Sequence, residues 1–526
     1  ERADVIVDFT DFAGQTLILY NDAPTAFPAL DPHYDYYTGA PDRTDMGANP
    51  FLPPGFGPNI RTVMQIVVPG TPGTAPADDY DPTTLANLRT AFFTNASTPG
   101  AFEAGQDPIV VGQTAYNSTY ATTFPATWPN WGVSRISDGA ISFSDVNGTI
   151  FSNFPMKAKA IHDEMGATFD DYGRMSAKLG LELPFTNAAI ANFILQNYVD
   201  PPTEIVEEEQ VQIWRVTHNG VDTHPIHFHL FDVQVLNRVG WDGFIRLPDD
   251  NELGWKDTVR MAPLEDTIVA LRPKFPTLPF KLPNSVRPLN PAIPLGSLES
   301  FSQIDTTDGA DLVPPQTNVM FNLGDEYVWH CHILSHEEND MMRAVSLLLP
   351  PAAPVALNAT SAAGGITLTW TNTDLKASKF TIQRATNNTF TANLTTFTAP
   401  AGNTYLDTTA FPGATYYYRI MATNAIGPVG GTALMSLDSG WSNTASGSVT
   451  PRAITSIPAV AWNPTNGQFQ IAYMGADMLM FVGTAQANGQ LNNDFVILPF
   501  GRTPEAPAIA WDPIANKVFI AHFAKG

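Results

Sequence analysis

Six of the ten histidines fall into two short motifs, and the only cysteine stands inside the second. The first motif is Thr223-His224-Pro225-Ile226-His227-Phe228-His229. The second is Trp329-His330-Cys331-His332-Ile333-Leu334-Ser335-His336, followed by Met341. Side chains on a strand alternate between its faces. His330 and His332 then point one way and Cys331 the other. His227 and His229 share a face, and His224, an odd number of residues away, tends to the opposite side. Two separate metal sites are expected: His227, His229, His330 and His332 on one side, and Cys331, His224, His336 and Met341 on the other.

The second set is two imidazoles, a thiolate and a thioether. Two His and one Cys with a weak axial Met make a blue-copper electron-transfer site, since soft sulfur suits Cu(I) and imidazole suits Cu(II). The all-imidazole set suits copper that handles oxygen species. The backbone around Cys331 is a short covalent bridge between the two. A structural zinc site does not place His-Cys-His on one strand with a Met following, and six histidines at these spacings are not isolated core residues.

These motifs need β-structure to hold them. The chain has 526 residues, too many for one ordinary core. Pro (45) and Gly (38) are plentiful and helix-period apolar runs are few, which favours an all-β fold of sandwiches joined by turns. Helix-like text is confined to Met156–Lys178 and Thr186–Gln196. Residues 207–350 read as β-rich, with a Pro-rich insertion at 272–316. From about residue 352, short strands recur at Ile366–Thr371, Lys379–Arg384, Thr404–Asp407, Thr415–Thr423 and Thr444–Thr450. Trp370 is placed as a core aromatic, and Tyr416 follows Pro412-Gly413 where a tyrosine corner is expected. This stretch, 352–451, resembles a fibronectin type III domain. Further on, Pro458-Ala-Val-Ala-Trp462-Asn-Pro464 recurs 49 residues later as Pro507-Ala-Ile-Ala-Trp511-Asp-Pro513, a period that suggests propeller blades over 455–526.

The formal net charge is −24 and no Lys/Arg cluster appears, which excludes a nucleic-acid partner. No apolar run is long enough to span a membrane. One cysteine permits no intrachain disulfide, so the thiol needs another explanation. The acidity fits a secreted, extracellular or cell-envelope protein. The chain opens in strand-like text, Glu1–Phe9, without Met or a signal peptide, so a targeting signal and an earlier domain are expected upstream.

The two histidine motifs resemble those of multicopper oxidases: laccases, bilirubin oxidases and metal oxidases. The resemblance covers roughly residues 1–350, with 1–70 similar to the end of a second cupredoxin domain and 71–350 to the C-terminal one. It implies that His224, Cys331, His336 and Met341 are type 1 copper ligands, His227 a type 2 ligand, and His229, His330 and His332 type 3 ligands. Glu337 matches an acidic position that relays protons, and Gly254–Val259 matches a strand that looks structural. The implied partners are dioxygen and a small-molecule or metal-ion reducing substrate: a phenol, an aniline, a bilirubin-like pigment, or Mn(II), Fe(II) or Cu(I). The family's three-copper cluster takes eight histidines, four of them from a first cupredoxin domain. The remaining histidines here, His33, His162, His218 and His522, form no His-x-His pair and read as core or surface residues, so half of that cluster is expected to be missing. An electron carrier with only a type 1 site is one rival, although it would not need His330 and His332. An adhesion protein with a relict copper site is another, and the appended modules are candidates for binding cell-surface or polymeric ligands.

Overall fold

The computed structural model describes residues 7–20, 62–73, 81–84, 86–87, 108–110, 133–136, 138–163, 177–183, 192–220, 222–252, 254–299, 303–362, 365–400, 402–410, 414–449, 456–475, 480–492, 496–497 and 506–521. His33 and His522 lie outside these. The described residues are almost entirely β. They divide into two compact units: one is mainly residues 1–277 and 285–347, the other mainly 348–427 and 431–526.

The core of the first unit is a sandwich of two sheets. One sheet runs Thr258–Met261, His224–Phe228, Asp325–Cys331, Met342–Leu348, Glu204–Glu207, each strand bonded to the next. The other is built around Val233–Gly240, Glu265–Leu271, Gln212–His218 and Ile150–His162. Every residue of Gln212–His218 and Glu265–Leu271 is buried. Between the sheets, Trp214 from one packs edge-on against Trp329 and Phe228 from the other, with ring centroids 5.4 and 6.1 Å apart. Both tryptophans are fully buried. This aromatic layer anchors the two motif strands, and burying such rings stabilises the contact by several kcal/mol, roughly.

A buried ion cluster also ties the sheets together. Lys159 Nζ lies 2.5 Å from Glu204, and Arg343 approaches the same carboxylate at 3.5 Å, all three side chains being almost wholly buried. Burial opposes the charge on Lys159, while Glu204 favours it.

The expected helix Met156–Lys178 is corrected at its start, where Ile150–His162 is a thirteen-residue strand pairing in parallel with Gln212–His218; residues 164–176 lie outside the described residues. Its Lys-Ala-Lys-Ala text is compatible with helix locally, but the pairing satisfies its backbone against an already buried neighbour. Lys178–Glu182 and Phe193–Gln196 are strands as well, so the second helix expectation fails where the chain is described; its earlier part, 186–191, lies outside the described residues. Among its described residues the Pro-rich insertion forms one short strand, Val286–Pro288.

The second unit contains Gly365–Thr371, Lys379–Ala385, Thr404–Asp407, Thr415–Pro428 and Ala445–Ser448, close to the expected strands. Trp370 is buried against Phe380. Tyr416 is buried; two residues on, the Tyr418 hydroxyl donates to Asp407 at 2.8 Å, where Arg384 also bonds. The first tail repeat forms a four-stranded antiparallel sheet beginning at Ala459–Asn463. The second, Ala508–Asp512, pairs with Lys517–Ala521.

Candidate metal centre

The strand register explains why the motifs meet. Antiparallel pairing sets His330 opposite His227, Cys331 opposite Ile226 and Trp329 opposite Phe228. Directly opposed residues project from the same face. His330 and His227 therefore share one side, and Cys331 is on the other.

On Cys331's side the donor atoms converge. Its Sγ lies 3.3 Å from His224 Nδ1 and 3.7 Å from His336 Nδ1, and those two nitrogens are 3.2 Å apart. All three residues are almost completely buried. Nitrogen and sulfur donors about 2.0–2.3 Å from a metal in their plane stand about 3.5–3.9 Å apart. A cation thus fits with a small opening of this triangle. His336 rides on a single helical turn, Leu334–Glu338. Asp340, in the left-handed region at φ 59°, then reverses the chain. Met341 N–H donates to His336 O at 2.9 Å, and its carbonyl accepts from Cys331 N–H at 3.1 Å. Met341 is fully buried, whereas Met342 is half-buried in the following strand.

The electrostatics suit a metal. Burial pushes the Cys331 thiol up to about 12, so at neutral pH a thiolate there needs a bound cation. Burial, then the neighbouring His224, pushes His336 down to about 4 and leaves it neutral. Its Nδ1 faces the triangle. Its Nε2 is buried without a hydrogen-bond partner among the described residues. The soft sulfur and two imidazoles of this set match copper.

On the opposite side, ligand atoms of His227, His229 and His330 lie within 4.8 Å of one another. His330 Nε2 faces His229 Nε2 at 3.3 Å. His332 packs its ring beside His227 and His330, with centroids 5.6 and 5.5 Å away, outside that tighter group. His227 donates from Nδ1 to the Asp257 carbonyl at 2.7 Å, and His330 from Nδ1 to the Cys331 carbonyl at 2.9 Å, which leaves Nε2 of each for a metal. The Gly254–Val259 segment, expected to be only structural, thus orients a histidine through a backbone carbonyl. Partial desolvation, then the positive potential of His227 and His330, lowers the pKa of His229. His229 and His332 are exposed. Glu337 Oε2 stands 3.7 Å from His330 Nδ1.

Two residues were not singled out as part of the site. Asp163 Oδ2 accepts from His224 Nε2 at 2.9 Å, deep in the sandwich. Burial opposes its ionisation, but the bonds from His224 and from Asp222 N–H outweigh it and hold the carboxyl below its ordinary range. His218, read as a core or surface residue, is a buried neighbour whose ring lies 5.0 Å from that of His224. No sequence spacing marked Asp163, because a parallel strand pairing delivers it.

Residues 183–278 match the family model described as Multicopper oxidase, a span that includes His224, His227 and His229. A laccase of Bacillus subtilis (strain 168) is 27% identical over 164 residues, covering 29% of this chain and 23% of the laccase. A multicopper oxidase of Oryza sativa subsp. japonica is 31% identical over 152 residues, covering 28% of this chain and 26% of that protein. The chain therefore spans about a quarter of the length of the curated relatives it matches. Among solved structures, a Campylobacter jejuni multicopper oxidase described as a metallo-oxidase aligns at 16% identity and TM-score 0.19, over 30% of this chain and 23% of that one. A fibronectin type III-like protein from Clostridium thermocellum aligns at 24% identity and TM-score 0.15, over 20% of this chain and 97% of that one. The segment that holds the first histidine motif is thus similar to multicopper oxidases, and the second motif, Trp329–His336, lies beyond the span matched by the family model.

Proposed function

We propose that the chain is the electron-accepting part of an oxidase that takes single electrons from a reducing substrate and reduces dioxygen to water. In this reading His224, Cys331, His336 and Met341 would hold a type 1 copper. His227, as type 2 ligand, and His229, His330 and His332, as type 3 ligands, supply half of a three-copper cluster. One observation carries it: Cys331 Sγ sits among imidazoles on one face, while its neighbour His330 sits among imidazoles on the other. Copper, when bound, supplies the one-electron acceptance and the oxygen reduction. The protein's own contributions are specific. Burial by Trp214 and Trp329 excludes water from the thiolate side, the Asp257 and Cys331 carbonyls orient His227 and His330, and Glu337, beside His330, would relay protons to the oxygen-reducing side. Phenolic or aromatic donors are the leading substrates, with Mn(II) or Fe(II) as the alternative. Secretion, the division of the chain near residues 70, 350 and 451, and propeller character of the tail belong to the same reading.

The test is copper counting with visible spectroscopy and an oxygen electrode. The chain is expected to hold about one copper tightly, with intense blue absorption, and to show no sustained oxygen uptake with a phenol or Mn(II), because four cluster histidines are lacking. Loss of the blue band at full loading would refute the first site. Sustained uptake by this chain would refute the half-cluster.

A further inference from the structure

The side chains of Asp163, His218 and His224 converge closely enough to hold a cation. His218 is not available as a ligand. Its Nδ1 accepts from Gly220 N–H at 3.0 Å and its Nε2 donates to the Asp222 carbonyl at 2.7 Å, so both ring nitrogens are used. The cluster must therefore do something other than bind a second metal.

The bonds of Asp163 indicate what. Its Oδ2 accepts from His224 Nε2 and from Asp222 N–H, both at 2.9 Å. The first bond requires the Nε2–H tautomer of His224 and leaves the Nδ1 lone pair facing Cys331 Sγ at 3.3 Å. Its Oδ1 is buried without a hydrogen-bond partner among the described residues. A buried carboxylate oxygen left in this way is costly unless a positive charge lies nearby. The fold makes room for it: a Cβ on Gly220 would come within 1.1 Å of the Asp163 carbonyl oxygen, so only glycine admits this approach.

We propose that Asp163 is a positioning residue that sets the His224 tautomer and, by its charge, favours the oxidised state of the metal at the Cys331 site. The proposal rests on the reading that this site holds copper. Counting the groups in contact, Cu(II), one thiolate and one carboxylate sum to zero charge. Adding one electron leaves a net negative charge in a buried, low-dielectric region, which the surroundings disfavour. A carboxylate partner also makes an imidazole a stronger metal donor.

The experiment compares the copper-loaded chain with its Asp163→Asn and Asp163→Ala variants by spectroelectrochemical titration. Asp163→Asn keeps an oxygen acceptor for His224 and Asp222 but removes the charge. Its blue band should persist, and at fixed potential its Cu(I)/Cu(II) ratio should rise at least tenfold, about 59 mV upward for a one-electron couple. Asp163→Ala should in addition lower copper affinity by about 10–100-fold. A ratio within twofold of the parent in Asp163→Asn, or parental copper affinity in Asp163→Ala, overturns the proposal. If the variants do not fold, proton NMR of the unaltered Cu(I)-loaded chain decides: a slowly exchanging, far-downfield Nε2–H of His224 supports it, and its absence overturns it. A parent chain with no blue band refutes the copper reading and this proposal together, whereas a blue parent with an unshifted Asn variant refutes this proposal alone.

Discussion

His330 and Cys331 are adjacent in the chain and serve opposite faces of one strand: the His330 ring lies 5.5 Å from that of His227, while Cys331 Sγ lies 3.3 Å from His224 Nδ1. The two candidate sites are therefore joined by a single peptide unit. That link is the shortest a protein can offer, and it makes the two faces separately testable.

Cys331→Ser should abolish the intense visible absorption of the copper-loaded chain, because the colour comes from thiolate-to-copper charge transfer and a hydroxyl does not replace it. Weak copper binding to the histidines of the other face should persist. An unchanged visible band in the serine variant would remove Cys331 from the site.

Met341→Leu should leave the copper bound and shift its potential upward, since a weak thioether donor helps Cu(II) more than Cu(I). Met341 is buried and bonded through its backbone to both His336 and Cys331. Met342→Leu serves as the control. If redox titration shows a shift only for the Met342 change, the axial assignment is wrong.

Glu204→Gln should destabilise the first unit by about 3–5 kcal/mol, because Lys159 and Arg343 would be left buried without their counter-charge. Urea denaturation followed by tryptophan fluorescence measures it, with Trp214 and Trp329 in the affected core. A change below about 1 kcal/mol would show that the cluster is better solvated than its burial implies.

The contribution of Asp266 to stability should fall as pH rises from about 4 to about 6. Burial, opposed by Arg215 and reinforced by Glu182, pushes the Asp266 carboxyl up to about 6. Between its ordinary range and that value the unfolded chain binds fewer protons than the folded one, so stability is lost with rising pH and stays lost above it. The contribution is at most about 3 kcal/mol. Asp266→Asn should flatten this segment of the stability–pH curve, and an unaltered slope in denaturation series at pH 4 to 7 would assign it to another group.

Much of the architecture was legible in the sequence because it depends on local periodicity. Alternation along a strand separates Cys331 from His330 whatever the strand pairs with, and the turn-spaced β-text after residue 352 has few other ways to bury Trp370, Phe380 and Tyr418. The tertiary structure decided what depends on distant partners. Ile150–His162 carries helix-compatible text and is a strand only because it pairs in parallel with Gln212–His218. That pairing delivers Asp163, 61 residues away in sequence, to His224. The Asp257 carbonyl that orients His227 arrives by the same kind of event, through the pairing of Thr258–Met261 with the histidine strand. Residue types and spacing name the groups able to bind a metal, but the hydrogen bonds that choose their tautomers are contacts between strands, and no spacing along one strand encodes them.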